Sequence, residues 1–60
     1  MTPASFLAWR KRLGLTAKAA AGALGCSRNT VAAYERGDVR IPRYIALACA
    51  AVAFNLPPMI

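Results

Sequence analysis

Thr16 to Gly37 limits what this chain can fold into more than any other stretch. It reads as two short helices separated by one tight corner. Thr16 is a capping hydroxyl ahead of the first, Gly25-Cys26 makes the corner, Ser27 caps the second, and Gly37 ends it. In the segment Ala17 to Leu24, Ala20, Ala21 and Leu24 form the packing side, and small residues let the next helix approach closely. From about Arg28 to Arg36, each residue turns the helix by about 100°. Val31 and Tyr34 then share one side with Glu35 at its edge, while Arg28, Asn29, Ala32, Ala33 and Arg36 share an opposite arc of roughly 140°. An ordinary solvated face is one interpretation of that arc. Two details favour another. Its two alanines leave its middle low enough to come close to a surface, and its first residues lie just past a capped, tight turn. That is where a recognition helix presents side chains to base edges.

The flanks read as two further helices. Thr2-Pro3 is a good helix start, a capping hydroxyl followed by a proline whose missing N–H costs nothing in the first turn. Phe6, Trp9, Arg10 and Leu13 recur at helical spacing and predict an inward face, with Lys11 and Arg12 directed to solvent. Gly14 suits a left-handed cap, and Leu15 can fold back onto the core. After the loop Asp38 to Ile41, a fourth helix is expected from about Pro42 to Phe54, carrying two apolar stripes. Ile41, Ile45, Ala48, Cys49 and Val52 make one; Tyr44, Leu47, Ala51 and Phe54 make the other. A lone domain buries one such stripe. The second, with Leu56, Met59 and Ile60 of the apolar tail, is expected to form a dimer interface, unless the tail folds back over it.

Charge is divided as sharply as hydropathy. Eight Lys/Arg against two acids give a net charge of +6 on 60 residues, and nothing after Arg43 is charged. So basic a body favours a polyanion, either nucleic acid or an anionic membrane. The hydrophobic fraction of 58% is largely alanine, and no useful alternating strand pattern appears, so an all-α domain over residues 1–60 is expected. A domain this small is near the lower limit for a single core, and dimerisation would relieve that. Cys26 and Cys49 have no metal-ligand spacing and no His to join, and read as small apolar residues of a reducing cytosol; a disulfide between them stays open. No signal peptide is visible, and Tyr44 to Phe54 is too short to span a bilayer. With no His, two carboxylates, no phosphate-binding loop and no metal spacing, neither an enzyme nor a cofactor is expected.

Leu13-Gly14-Leu15-Thr16, Ala21, Leu24-Gly25-x-Ser27, Thr30-Val31 and Tyr34-Glu35-x-Gly37 together resemble the Cro/Xre-type helix-turn-helix family of small phage and bacterial repressors. Phe6-x-x-Trp9-Arg10 and Ile41-Pro42-Arg43-x-x-Ala46-Leu47-Ala48 resemble the flanks of its compact members. The resemblance implies a compact four-helix bundle of lambda-repressor-like DNA-binding type, with a helix-turn-helix unit at 16–37 and a short apolar C-terminal tail. It implies base contacts from Ser27, Arg28, Asn29, Ala32, Ala33 and Arg36, and phosphate contacts from Thr30 and Arg40. Arg43 would reach the minor groove, and Arg10 would pair with Glu35. Two departures stand out. Ala17 occupies a position where the family often has a phosphate-contacting glutamine, and the fifth helix that many members use to dimerise has no counterpart.

The residues support a mechanism beside the resemblance. Arg28 suits a guanine edge, Asn29 an adenine edge, and Ala32 and Ala33 thymine methyls. Lys18, Thr30, Arg40 and the helix N-termini suit the phosphate backbone, and Arg43 suits a narrow minor groove. The expected function is a sequence-specific, double-stranded-DNA-binding transcriptional regulator, a repressor, with autoregulation of its own operon as one form of it. It would act in the cytoplasm as a homodimer on a palindromic operator, with no small-molecule ligand and no membrane partner. An antitoxin or adaptor on the same fold, and a cationic membrane-active peptide, are the competing readings. Structured RNA is a minor option, because a deep A-form groove does not admit a helix.

Overall fold

The computed structural model describes residues 1–59, so the interface expectation for Ile60 lies outside the described residues. Four helices follow one another: α1 (Pro3–Arg12), α2 (Ala17–Leu24), α3 (Arg28–Arg36) and α4 (Arg43–Ala53). No strand occurs among the described residues, and the all-α, four-helix expectation holds.

Local chemistry places the boundaries. Thr2 caps α1 through a reciprocal box: its hydroxyl accepts the Ser5 N–H at 3.1 Å, and the Ser5 hydroxyl accepts the Thr2 N–H at 2.9 Å. Thr16 accepts the Ala19 N–H at 3.0 Å, and Ser27 accepts the Thr30 N–H at 3.2 Å. The C-termini share one device, a left-handed residue whose successor donates its N–H five residues back. Leu15 donates to Arg10 at 3.0 Å, Cys26 to Ala21 at 3.0 Å, Asp38 to Ala33 at 3.0 Å and Leu56 to Ala51 at 2.9 Å. The left-handed residues are Gly14, Gly25, Gly37 and, closing α4, Asn55 at φ 55°. Asparagine is the side-chain-bearing residue that best tolerates this region.

Gly25 is the corner between α2 and α3, with φ 74°, and a Cβ there would meet no neighbour within 4 Å. Its requirement is therefore conformational and not steric. Gly22, within α2, lacks both constraints: its φ is not left-handed and the space beside it is open. Gly22→Ala is expected to raise stability by about 0.5–1 kcal/mol through helix propensity. Gly25→Ala is expected to lower it by about 1–2 kcal/mol through the strained corner. Paired thermal melts check this, and a destabilised Gly22→Ala would show that the site is not the free helix position it looks to be.

The core is small and mixed. Phe6, Ala21, Val31, Tyr34, Ile41, Ile45 and Cys49 are buried together, with Trp9, Ala17, Leu24 and Cys26 packed against them. Phe6 lies between two rings, tilted against Trp9 at a centroid distance of 5.5 Å and edge-on to Tyr34 at 5.6 Å. Small side chains bring α2 close to α3, and Ala20 and Ala21 are both buried. The Trp9 indole N–H donates to the Cys49 carbonyl at 2.8 Å, fastening α1 to α4 across 40 residues.

Two expectations need correction. Leu13 does not join the inward face of α1. It is 37% exposed: as the cap residue it keeps the helical bond from its N–H to the Trp9 carbonyl at 3.2 Å, but its side chain lies at the surface rather than in the core. Leu13 instead borders a groove of about 220 Å³ lined also by Ser5, Ala8, Trp9, Arg12 and Ala53. The fourth helix is one residue shorter at each end than expected: Pro42 is its N-cap and Phe54 its C-cap. The two stripes of α4 separate as their spacing implies. Ile45 and Cys49 are buried, with Ala48 and Val52 half-buried, while Tyr44, Leu47 and Phe54 are 69%, 59% and 78% exposed.

Candidate nucleic-acid interface

Thr16, Gly25, Ser27 and Gly37 each hold the turn or cap expected of them, and the result is a short α2, a tight corner and a short α3. Val31 at 0% and Tyr34 at 4% exposure anchor α3 into the core. The opposite side therefore points outward. Arg28, Asn29 and Arg36 are exposed there, and Ala32 and Ala33 are half-buried between them. The outer face of α3 is thus long-armed at both ends and low in the middle.

The hydrogen bonds divide this set. Neither Arg28 nor Asn29 uses its side chain within the protein among the described residues, so both are free to meet a ligand. Ser27 is exposed, but its hydroxyl accepts the Thr30 N–H and lies 3.0 Å from the Thr30 hydroxyl. Capping thus occupies much of the bonding capacity of both residues. Arg36 is exposed and engaged at once: its Nε donates to Asp38 Oδ2 at 2.7 Å. The loop residue Asp38 had given no sequence signal for that role. A partner two residues away becomes visible only once Gly37 turns the chain back.

An ion pair sets the tilt of α3. Arg10 Nε donates to Glu35 Oε2 at 2.7 Å and Nη2 to Oε1 at 2.9 Å, a two-pronged contact from α1 to α3 with both side chains 18% exposed. Nη1 donates to the Leu15 carbonyl at 3.1 Å, so the same guanidinium also holds the α1–α2 loop. The bonds to Glu35 raise the Arg10 pKa further, against the lowering effect of partial burial. Each of the three guanidinium nitrogens thus makes a bond that serves the architecture.

The other basic candidates lie outside α3. Lys18 is exposed on α2, and Arg40 and Arg43 are exposed on either side of Ile41-Pro42. With Met1, Ile41, Pro42 and Ala46, these two arginines line an open basin of about 600 Å³ at the start of α4. No side chain caps α4; the Ile45 N–H donates to the Pro42 carbonyl at 3.1 Å, which leaves the Arg43 and Tyr44 N–H groups available at that end. The cysteines are free thiols, Cys49 buried and Cys26 half-buried. Burial raises both pKa values, that of Cys49 to about 11, which keeps the thiol protonated near neutrality. Among the described residues no group of three or more His, Cys, Asp or Glu could hold a metal ion. No helix among them is long and apolar enough to cross a membrane.

A capped two-helix corner, a helix anchored by Val31 and Tyr34, and a basic outer face are the parts of a major-groove reader. Residues 6–58 match the family model described as a helix-turn-helix domain. Among curated proteins and among solved structures, nothing matches the chain significantly. The matched span takes in all of α2, α3 and α4 and most of α1, and it contains every motif that carried the Cro/Xre-type resemblance. The chain therefore belongs to the helix-turn-helix domain family, a Cro/Xre-like family of DNA-binding regulators.

Proposed function

We propose that this protein is a transcriptional repressor that lays the outer face of α3 in the DNA major groove and acts as a homodimer on a palindromic operator. The observation that carries the reading is the pairing of free, exposed Arg28 and Asn29 side chains with a buried Val31–Tyr34 face on the same short helix. Arg28 forks onto a guanine edge and Asn29 onto an adenine edge, while Ala32 and Ala33 pack against thymine methyls. Ser27 and Arg36 complete the base-facing set. Lys18, Thr30 and Arg40 hold phosphates, and Arg43 enters the minor groove. Occupancy of a promoter is the regulatory act, at the protein's own operon among others, in the cytoplasm.

One copy reads too few bases to be selective. The exposed stripe of Tyr44, Leu47 and Phe54 supplies a reason for two, since large apolar side chains lined up on one helix face favour a partner surface. Ala51 is half-buried within it, and Leu56 and Met59 continue it at 61% and 97% exposure. A second copy related by a twofold axis sets two α3 helices about one DNA turn apart. The same stripe would serve an antitoxin or adaptor, whose partner is a different protein.

Selection of bound duplexes from a random pool, alongside sedimentation, tests the reading. The expected result is a palindrome with half-sites about 10 base pairs apart. Leu47→Asp is expected to convert the dimer to a monomer that still melts cooperatively and binds only weakly. A selected site with no symmetry, or a wild-type monomer, would contradict the homodimer. Stoichiometric co-purification with another protein would favour the adaptor.

A further inference from the structure

The molecule has two acids, and only one of them serves the core. Glu35 ties α1 to α3. Asp38 lies just past α3 and accepts the Arg36 Nε–H at 2.7 Å, with the two side chains 57% and 63% exposed. A pair this exposed adds little to stability. Its position is nevertheless well defined. Gly37 turns the chain at φ 78°, and the Asp38 N–H donates to the Ala33 carbonyl at 3.0 Å, so the carboxylate is carried by the end of α3 itself. Arg36 lies two turns along the helix from Asn29 on the same outward arc.

Binding through Nε leaves the outer edge of the guanidinium, Nη1 and Nη2, without a partner among the described residues. That edge is the fork that matches O6 and N7 of guanine. A free arginine on a helix surface samples many rotamers; one held at Nε presents its fork in one plane. Water leaving the groove would strengthen the hold, because an ion pair gains force as the local dielectric falls. We propose that Asp38 is a positioning residue: it fixes the Arg36 guanidinium so that its Nη edge reads a guanine, and its own negative charge disfavours placements that push the end of α3 against phosphate. The inference rests on the major-groove reading of α3 given above.

The test is selection from a random duplex pool with the full chain and four variants: Arg36→Ala, Asp38→Asn, Asp38→Glu, and Asp38→Asn combined with Arg36→Ala. The wild type is expected to require a guanine at one position per half-site that Arg36→Ala no longer requires. Asp38→Asn should weaken that same preference by about fivefold or more, the lower end for one bidentate contact. It should also raise affinity for an unrelated duplex, since a negative charge near phosphate is gone. Asp38→Glu should retain part of the preference, and Asp38→Asn should change no base preference once Arg36 is Ala. Melting should be unaltered, because the Asp38 backbone bond survives. Unchanged base preference in Asp38→Asn, or an equal rise in affinity for every duplex, would overturn the proposal while leaving the groove assignment standing. A wild type that selects no sequence at all would overturn both.

Discussion

Phe6→Ala is expected to remove a large share of the folding free energy, and all of it if the domain lies at the low end of its stability range. Phe6 is fully buried, lies against rings on α1 and α3, and is the largest of the fully buried side chains, ahead of Val31 and Cys49. Truncating a buried phenylalanine costs about 3–5 kcal/mol in transfer energy and residual cavity. A domain of 60 residues has about 3–9 kcal/mol in total at typical per-residue stability. The two ranges overlap, and the core has few large side chains with which to collapse around the gap, since its other members include Ala21 and Cys49. Helical circular dichroism should fall and the thermal transition should broaden or vanish. Operator DNA should recover part of the signal, because a ligand that binds only the folded state stabilises it by mass action. A cooperative melt within about 1 kcal/mol of the wild type would mean that the core can repack, against the picture of a tightly filled aromatic cluster.

The second large effect is on binding and should leave the fold untouched. Arg28→Ala and Asn29→Ala each remove a side chain that is exposed and makes no hydrogen bond within the protein among the described residues. Both should melt like the wild type. Removing either bidentate base contact costs about 1–3 kcal/mol, or about 5- to 150-fold in affinity. A homodimer pays that cost in both half-sites, which brings the expected weakening to about 30-fold at the low end. Binding to unrelated duplex should weaken with Arg28→Ala and hardly change with Asn29→Ala, since only the arginine carries charge toward the phosphates. Titrations of the selected operator and a scrambled duplex at one salt concentration check both statements. Equal weakening on the two duplexes would mean that Arg28 serves only as a charge.

What was legible in the sequence was local. Thr2, Thr16, Ser27, Gly25 and Gly37 act within a turn or two of their own positions, so their types and spacing announce the helix ends without any knowledge of packing. The division of α3 into Val31–Tyr34 and an outer polar arc follows from helical geometry alone. The same reasoning failed at Leu13, which keeps a helical bond to Trp9 yet lines a surface groove, because periodicity assigns a face and not what covers it. Tertiary partners were legible only where a family pattern supplied them. Arg10 and Glu35 are 25 positions apart, and no spacing rule joins them, yet the resemblance did. The bond from Trp9 to the Cys49 carbonyl had no signal, because its acceptor is a backbone group that every residue possesses. Arg36 and Asp38 are near neighbours, but a helix places residues two apart on different sides. Their contact exists only because Gly37 reverses the chain.

If α3 reads base edges from the major groove, guanine N7 reports on it directly, because that atom lies on the groove's floor. Dimethyl sulfate methylates N7, so a protection experiment on the selected operator shows whether protein covers it. At least one guanine in each half-site should be protected by the wild type, and its reactivity should recover when Arg28→Ala is bound at saturating concentration. Full operator occupancy with every guanine N7 still reactive would contradict major-groove reading by α3.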